Sequence, residues 1–481
     1  PVTSVADLTG SPEMLGGRVK TLHPRIHGGI LARRGNNDDE RDVAAHHLPL
    51  FDMVVVNLYP FVELLKQPDL TPAARIEAID IGGVALLRAA AKNFEHVLVV
   101  SQPEQYAAVL EALAEEGGAN VAFRRDLALA TFRLTAAYDA AIAAWLGEGG
   151  TEQFPDRLTL PLEKVQNLRY GENPHQQAAF YRLLGPSGGR PSLAGAEQLN
   201  GREVSFNNLL DLQAAFDAAS DFAAPTVVIV KHTNPCGLAS HQDVVEAYRR
   251  AHAGDPVAAY GGIIGCNRAI DEATAREIRP LNYDAIIAPD YEPAALAILQ
   301  RKKQGQMVIL RAAGQWKPAT PGSGAQGLAN LDMKRVSGGL LLQTPDTLMD
   351  EQITLTPVTK REPTLEEITD LLFAFRACKH VKSNCVVLAR HLTVVGIGAG
   401  QQSRVLAAKI AVERAEDRAK AAVMATDGFF PFPDGVEVGI RAGVTAIIHP
   451  GGSIRDAQSV EVCDRHGVAM LTTGGLRHFR H

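Results

Sequence analysis

Cysteine is scarce in this sequence, and its few residues form no metal or redox motif. The 481 residues include five cysteines, and no two of them form a C-x-x-C pair. An odd, widely spaced set argues against a disulfide framework and favours a reducing compartment, so we expect a cytoplasmic protein. The chain opens on Pro1 rather than on methionine, and no secretory signal pattern follows it. We therefore expect the natural protein to have residues before Pro1.

An excess of basic residues is also absent. Lys and Arg total 48 against 54 Asp and Glu, which gives a net charge of −6. Proteins that bind nucleic acid or anionic membrane surfaces usually have the opposite balance, so we expect neither partner. No uninterrupted apolar run reaches the roughly 18–20 residues of a membrane span. With 46% hydrophobic and 21% charged residues, the composition is that of a globular protein with a large core.

Short β-branched runs alternate in the sequence with helical stretches rich in Ala and Leu. The strand candidates are continuous apolar runs, as expected of strands buried on both faces. We predict strands at 53–57, 97–100, 226–231, 285–288, 307–310, 386–389, 393–396 and 446–449. We predict helices at 125–145, 209–219, 365–377 and 404–421. This alternation predicts an α/β architecture.

Two stretches rich in glycine and proline divide the chain. Residues 147–161 follow a predicted helix and are typical of an interdomain linker. Residues 312–327 contain four glycines and two prolines, and they form either a long surface loop or the joint between two lobes. We therefore predict one domain at 1–150 and a second domain at 155–481.

Lys231 and His232 stand directly after the apolar run 226–230. Histidine titrates near neutral pH, and a desolvated lysine can donate a proton or stabilise an oxyanion. A turn that faces solvent is the alternative, but the strand before it is too apolar to favour that interpretation. The sequence therefore predicts an acid–base pair at a buried strand end.

Other segments combine charged, amide and aromatic side chains at predicted turns. Residues 167–176 contain almost nothing apolar, and residues 427–434 place three phenylalanines on a loop. Residues 396–404 follow a strand and open a helix, but Gln401 stands where a dinucleotide fingerprint requires glycine. This disfavours a nicotinamide enzyme, while the backbone N–H groups and Arg404 suit an anion. Segments 16–24, 57–61 and 80–92 are weaker signals, since a basic turn, a half-buried Tyr59 or a helix capped by Asp80 would explain them.

Together and in this order, these segments closely resemble the bifunctional purine-biosynthesis family that combines AICAR transformylase with IMP cyclohydrolase. The resemblance extends over essentially the whole chain. It implies a methylglyoxal-synthase-like cyclohydrolase domain at 1–150 and a larger, bilobal, cytidine-deaminase-like transformylase domain at 155–481, with a joint near 312–345. Family members begin with a strand, a Ser-Asp-Lys-Thr-Gly turn and a Ser-Thr-Gly-Gly-Thr phosphate loop. The printed chain starts after these elements, so we expect its first domain to be incomplete at the N-terminus.

The resemblance implies the last two steps of IMP synthesis. A formyl group moves from the co-substrate 10-formyltetrahydrofolate to the 5-amino group of AICAR, and formyl-AICAR then closes to IMP with loss of water. The resemblance also implies a homodimer whose transformylase sites use residues from both subunits. It implies no catalytic metal and leaves open whether a monovalent cation takes part.

The family's functional residues carry over to matching positions of this chain. By similarity, His232 is the base that removes the proton of the AICAR amine, and Lys231 is the polarising or proton-donating partner. The implied nucleotide contacts are Arg169, Tyr170, Asn384, Arg404, Phe429, Arg477, Phe479 and His481. The implied pterin contacts are Asp284 and Asp434, because pterin N–H groups suit a carboxylate. For the cyclohydrolase, the resemblance implies substrate binding by Arg18, Thr21 and Asn57 and catalysis by Lys20, Tyr59, Asp80 and Lys92.

A zinc nucleobase deaminase and a regulatory binding protein are the alternative classes of function. A zinc nucleobase deaminase needs H-x-E and P-C-x-x-C, but the sequence has no H-x-E, and Ala239 occupies the second cysteine position after Cys236. A regulatory protein that binds folate or nucleotide would leave the catalytic groups idle, which the Lys231–His232 pair disfavours. Metal analysis and a formyl-transfer assay distinguish the three classes.

Overall fold

The computed structural model describes residues 1–65, 67, 69–147, 154–184, 191–318 and 331–481. These residues divide into two compact units. One is built mainly from Pro1–Glu163, and the other from the described parts of Lys164–Tyr181, Gly188–Gly324 and Leu331–His481. Within the predicted linker 147–161, residues 148–153 lie outside the described ranges. The assignment of separate activities to 1–150 and 155–481 stays a prediction.

The first unit places helices around a short pair of parallel strands. Strands β1 (Met53–Val55) and β2 (Leu98–Val100) pair with Val54 opposite Val99. The helices are α1 (Val5–Thr9), α2 (Pro24–Leu31), α3 (Asn37–His46), α4 (Phe61–Leu65), α5 (Pro72–Glu77), α6 (Gly82–Lys92), α7 (Tyr106–Ala114) and α8 (Val121–Leu146). The strands predicted at 53–57 and 97–100 and the helix predicted at 125–145 are confirmed to within a few residues.

Helix α8 packs in the core of the first unit. By length and composition alone, its 26 residues are apolar enough to cross a membrane. However, Leu127 and Ala128 of α8 are buried in one cluster with Leu87 of α6. The hydroxyl of Tyr138 also donates to the carbonyl oxygen of Ala78 at 3.2 Å. These contacts give the apolar side of α8 a partner within the protein.

The second unit is organised on a sheet of 12 strands. In sheet order the strands are β13 (Thr356–Pro357), β18 (Ala469–Thr472), β17 (Ala446–His449), β16 (Val423–Thr426), β14 (Val386–Arg390), β15 (Thr393–Gly398), β7 (Asn234–Ser240), β6 (Thr226–Lys231), β8 (Gly262–Cys266), β9 (Tyr283–Ala288), β10 (Val308–Arg311) and β5 (Glu197–Asn200). Two further strand pairs are separate from this sheet. They are β3 (Leu162–Leu168) with β4 (Ala178–Leu183), and β11 (Asp332–Val336) with β12 (Gly339–Gln343).

Helices cover both faces of this sheet. They are α9 (Phe206–Ser220), α10 (Val244–Gly254), α11 (Glu272–Ile278), α12 (Pro293–Gln300), α13 (Leu365–Cys378), α14 (Arg404–Ala415), α15 (Asp434–Arg441) and α16 (Asp456–His466). Alternate side chains of β6 enter different cores. Val228 and Val230 pack in the cluster that includes α9 and α13, whereas Val227 and Ile229 pack with α10. The sheet is therefore buried on both faces, as the continuous apolar runs predicted.

The 12-stranded sheet consists of two halves with the same order of elements. Each half runs strand, helix, hairpin, helix, strand, helix, strand, helix, strand, from β5 to β10 and from β13 to β18. In each half the last three strands are parallel to one another. The first strand of the half and the first strand of the hairpin are antiparallel to them, and the second hairpin strand runs in their direction. The halves meet where β7 and β15 pair antiparallel at Ala239 and Thr393. The sequence shows no short-period repeat, so this long duplication is visible only in the topology.

Two glycines of the segment 396–404 lie inside strand β15. A Cβ at Gly396 would collide with the carbonyl oxygen of Ala411, and a Cβ at Gly398 with that of Ala407. Both alanines belong to α14, so these glycines allow the helix to approach the strand closely. The strand predicted at 393–396 therefore continues for two more residues, and the predicted anion-binding loop begins only after Gly398.

The start of the stretch 312–327 packs in the core. Trp316 is only 3% exposed, and its indole N–H donates to the carbonyl oxygen of Ala312 at 2.9 Å. Its ring contacts Phe216 with 4.5 Å between centroids. This part is therefore no surface loop, and residues 319–327 lie outside the described ranges.

Replacing Gly396 by alanine should destabilise the second unit. The added Cβ would force α14 away from β15, and such overpacking costs about 1–3 kcal/mol. Gly339→Ala in β12 is the matched control, since its Cβ would meet only Val336 at an ordinary 3.8 Å. Urea unfolding should therefore give a lower midpoint for Gly396→Ala than for Gly339→Ala, and equal midpoints would contradict this packing argument.

Candidate active site

A buried ion pair lies at one end of the 12-stranded sheet. Arg404 begins α14, and Asp427 directly follows β16; they are 8% and 0% exposed. The guanidinium of Arg404 donates to the Asp427 carboxylate and to the carbonyl oxygen of Cys385 at 3.2 Å. Asp427 also accepts the N–H of Cys385 at 3.1 Å. Buried charges require this degree of pairing, so the ion pair joins α14, β14 and β16 rigidly.

The same arginine orients Asn384. A second guanidinium nitrogen of Arg404 donates to Asn384 Oδ1 at 2.8 Å, and Asn384 Nδ2 donates to the carbonyl oxygen of Gln401 at 2.8 Å. Both ends of the amide are therefore bonded, which leaves a single orientation. Most polar atoms of Arg404 are used inside the protein, so its geometry favours a role in orienting Asn384 over a direct phosphate contact.

A cavity of about 350 Å³ adjoins this ion pair. The predicted residues that line it are Asn384, Arg404, Phe429, Asp434 and Phe479. Five further lining residues were not predicted as site residues, and they are Gln402, Ser403, Val405, Pro431 and Phe432. The aromatic run 427–434 was a usable signal for Phe432. The guanidinium of Arg477 lies over Phe429 at 5.4 Å and over Phe479 at 5.7 Å. Aromatic faces beside a cation suit a planar, anionic ligand.

His449 is buried at the same end of the sheet, where β17 ends. Its Nδ1 accepts the N–H of Gly451 at 3.2 Å, so Nε2 carries the proton, and Nε2 has no hydrogen-bond partner within the described part of the chain. Burial lowers the pKa of His449 to about 4, with Asp456 opposing the shift and Arg404 adding to it. His449 is therefore neutral near pH 7.

Lys231 and His232 lie at the tight turn between β6 and β7. His232 and Thr233 have φ angles of 53° and 62°, in the left-handed region. Their N–H groups donate to the carboxylate of Asp211 on α9 at 3.2 and 2.6 Å. Lys231 Nζ donates to the carbonyl oxygen of Tyr260 at 2.9 Å. The predicted buried strand end is found at Val230, whereas Lys231 is half-buried and His232 is exposed.

Hydrogen bonds hold this turn beside the wall of the cavity. The N–H of Lys382 donates to Asn234 Oδ1 at 2.9 Å, and the guanidinium of Arg480 donates to the carbonyl oxygen of Thr233 at 3.2 Å. Lys382 and Arg480 are close chain neighbours of Asn384 and Phe479, which line the cavity. The structure therefore brings the Lys231–His232 turn and the predicted nucleotide residues to the same end of the sheet.

Asp284 lies far from Asp434 across the sheet. It stands on β9, where it pairs with Lys303 and with Arg202 at 3.6 Å. The sheet order places six inter-strand spacings between β9 and β16, the strand that leads to Asp434. At roughly 4.8 Å for each spacing, strands β9 and β16 are about 29 Å apart. This separation favours an arrangement in which one pterin does not contact both carboxylates of a single copy of the chain.

The remaining predicted residues of the second unit lie outside the lining of the cavity, as far as the structure describes it. The guanidinium of Arg169 lies 5.7 Å from the ring centre of Tyr170, directly after β3. The carbonyl oxygen of His481 accepts a hydrogen bond from Lys334 at 3.0 Å, and its ring lies 6.0 Å from that of Phe479. His481 is thus close to the cavity through Phe479.

In the first unit, Thr21 and Asp80 meet at the N-terminus of α6. Asp80 Oδ1 accepts the N–H of Gly83 at 2.7 Å, so Asp80 caps the helix. Thr21 Oγ1 lies 2.9 Å from the position that a Cβ on Gly82 would occupy. The capping alternative considered for Asp80 is therefore confirmed, and a helix N-terminus with a hydroxyl beside it is also suited to an anion.

Other predicted cyclohydrolase residues are more dispersed. Lys20 pairs with Glu13 at 3.0 Å, and Arg18 pairs with Glu77, both at the surface. Asn57 Nδ2 donates to the hydroxyl of Tyr106 at 3.1 Å, and Tyr59 is 62% exposed. Lys92 is the last residue of the 11-residue helix α6, which places it roughly 15 Å along the axis from the end that Asp80 caps.

Five of the predicted residues thus line one cavity. Comparisons with known proteins concern the chain as a whole. The family model of the AICARFT/IMPCHase bienzyme matches residues 90–414. The bifunctional purine biosynthesis protein PurH of Oceanobacillus iheyensis is 46% identical over 480 residues, which covers 100% of this chain and 91% of that protein. PurH of Halalkalibacterium halodurans is 47% identical over 481 residues, with the same shares covered. PurH of Acetivibrio thermocellus is 45% identical over 481 residues.

Arg404→Met should destabilise the second unit strongly, because it leaves the charge of Asp427 buried without a partner. Removing one member of a buried pair costs about 3–5 kcal/mol. The double variant Arg404→Met/Asp427→Asn should recover much of this loss. Arg441→Met, which breaks the exposed pair with Glu437, should cost less than about 1 kcal/mol. Urea unfolding measures all three, and similar costs for Arg404→Met and Arg441→Met would contradict the assignment.

Proposed function

This chain belongs to the AICARFT/IMPCHase bienzyme family, and we propose that its two units carry out the family's two reactions at separate sites. The protein transfers a formyl group from 10-formyltetrahydrofolate to AICAR and closes formyl-AICAR to IMP. We assign ring closure to the first unit, with a methylglyoxal-synthase-like fold. We assign formyl transfer to the second unit, with two cytidine-deaminase-like lobes, and the duplicated order of its elements supports two lobes.

Formyl transfer needs a base because the AICAR amine is conjugated with the carboxamide and attacks weakly. In our proposal His232 takes the amine proton as the nitrogen bonds to the formyl carbon. Lys231 stabilises the resulting oxyanion and returns a proton to the folate nitrogen as the carbon–nitrogen bond to it breaks. The observation that carries this assignment is the turn itself: its backbone is held by hydrogen bonds beside the cavity, and the imidazole projects at the surface.

The cavity is the proposed nucleotide site. Phe429 and Phe479 offer faces for the imidazole ring of AICAR, and Arg477 between them offers a cation for its phosphate or carboxamide. Asn384 presents an amide whose orientation Arg404 controls. Asp434 lines the same cavity and is our candidate for the pterin N–H groups.

Ring closure is proposed at the N-terminus of α6. The carboxamide nitrogen attacks the formyl carbon, and the formyl oxygen leaves as water. Lys20 and Tyr59 are candidates to polarise that oxygen, and Asp80 is a candidate to accept the proton of the nitrogen. Lys92 stays a prediction from the family resemblance, since it lies at the other end of α6.

The transformylase site is proposed to be shared between two copies of the chain. About 29 Å separates β9, which holds Asp284, from β16, the strand that leads to Asp434. Joint contact of both carboxylates with one pterin is therefore assigned to two copies, each of which supplies one of them. A homodimer satisfies this requirement.

A cytoplasmic location is proposed on chemical grounds, because all five cysteines are free.

His232→Ala should lower transformylase turnover by roughly 10²–10⁴-fold, the usual contribution of a positioned base. In the natural full-length protein, the variant should still close supplied formyl-AICAR to IMP, because ring closure uses the other unit. Asp80→Asn should do the reverse, so that formyl-AICAR accumulates. His391→Ala is the matched control, since His391 occupies the same place in the second hairpin turn. Near-normal turnover of a folded His232→Ala variant would exclude His232 as the base.

Mixed dimers test whether the site is shared. The Asp284→Asn and Asp434→Asn variants should each have low transformylase activity when assayed alone. A mixed dimer of the two should have one site with both changes and one site with neither. Random mixing should therefore restore about a quarter of wild-type activity. The control mixes wild type with the double variant Asp284→Asn/Asp434→Asn, whose mixed dimers would have no intact site. Absence of restored activity in the first mixture would show that each site uses both residues from one chain.

A further inference from the structure

Asp211 holds the backbone of the turn that contains the proposed base. Its carboxylate accepts the N–H groups of both His232 and Thr233. The carbonyl oxygen of His232 accepts a hydrogen bond from Asn234 Nδ2 at 3.0 Å, and that of Thr233 accepts one from Arg480. All four backbone polar groups of the two turn residues are therefore bonded. The turn is left with the imidazole of His232 as its exposed titratable group.

The residues of the turn do not favour its conformation. A two-residue hairpin turn with both φ angles positive normally contains Asn, Asp or Gly. Here the positions hold His232 and Thr233, and a β-branched residue is an outlier in the left-handed region. Such a conformation persists only where surrounding structure imposes it. The charge-assisted hydrogen bonds that the two N–H groups donate to Asp211, on a different element, supply that constraint.

We propose that Asp211 is a positioning residue for formyl transfer, which acts by fixing the direction of the His232 imidazole. This inference rests on the proposed function, in which His232 is the base. Catalysis by a general base depends on the distance and angle to the proton that it removes, and a displacement of about 1 Å can cost about 100-fold in rate. Asp211 touches neither substrate in this proposal, so its contribution is made through His232 alone.

The second half of the sheet contains the same construction without the proposed base. Asp370 of α13 accepts the N–H groups of His391 and Leu392, both at 2.7 Å, and these residues have φ angles of 53°. The side chain of Thr393 bonds the carbonyl oxygen of His391, and the N–H of Ser240 bonds that of Leu392. Asp370 is therefore a matched control: it holds the backbone of a turn as Asp211 does, but that turn has no part in the proposed reaction.

The experiment compares Asp211→Asn with Asp370→Asn in the full chain. Both variants should lower the melting temperature by a similar amount, because each removes two charge-assisted hydrogen bonds from a strained turn. Asp211→Asn should lower the transformylase kcat by about 10- to 100-fold and leave the KM for AICAR and for 10-formyltetrahydrofolate within about twofold. Asp370→Asn should keep kcat within about twofold. If Asp211→Asn unfolds at the assay temperature, the Asp211→Glu variant is used in its place. Glutamate keeps the negative charge but displaces the carboxylate.

A double-variant cycle separates positioning from general stabilisation. In the His232→Ala background, Asp211→Asn should have no further effect on kcat, because two residues that act as one unit are not additive. A further loss of kcat in that background, or equal losses for the Asp211 and Asp370 variants, would overturn the proposal. If His232→Ala impairs turnover and Asp211→Asn does not, the Asp211 proposal is wrong and the base assignment survives. If His232→Ala is itself active, the proposed base is wrong and this inference falls with it.

Discussion

The buried ion pair of Arg404 and Asp427 is the interaction on which the candidate transformylase site depends. Its charges are tolerable only because several hydrogen bonds replace the water they lost, and those bonds join α14, β14 and β16. The same bonds orient Asn384 at the wall of the cavity. The first half of the sheet has Asn267 at the equivalent place, where it accepts the N–H of Thr226 at 2.8 Å and donates to the carbonyl oxygen of Phe222. The first half thus has a neutral asparagine at this position, and the second half has a carboxylate that is paired with an arginine.

Duplication also explains why the site combines both halves. Strands β7 and β15 pair antiparallel, so the two hairpin turns lie at opposite ends of the sheet. Each turn therefore meets the other half of the unit. The Lys231–His232 turn bonds to Lys382 and Arg480 of the second half, and the His391 turn bonds to Ser240 of the first. This arrangement brings together the Lys231–His232 turn of one half and the cavity of the other half.

Local patterns were sufficient for much of the fold. The predicted strands 226–231 and 446–449 agree with β6 and β17 residue for residue, because a strand buried on both faces must be apolar throughout. The helix beginning at 365 was also placed correctly, and Asp80 caps α6 as its position suggested. Strand β7 was missed, since its start at Asn234-Pro235 looks like a turn. The strand predicted at 393–396 ended two residues short of Gly398, because the sequence does not show that a helix backbone lies against that glycine.

The sequence by itself determined the family, the α/β class and half of the residues that line the cavity, since motifs in a fixed order and apolar runs are local properties of the chain. Only the tertiary structure decided which of those residues meet. Asp211 reaches the His232 turn from another helix, Asp427 is neutralised by Arg404 from another element, and Asp284 lies about six strand spacings of roughly 4.8 Å from the strand that leads to Asp434. The physical reason is that strand pairing and the burial of charge depend on partners remote in the chain, and local composition leaves such partners unspecified.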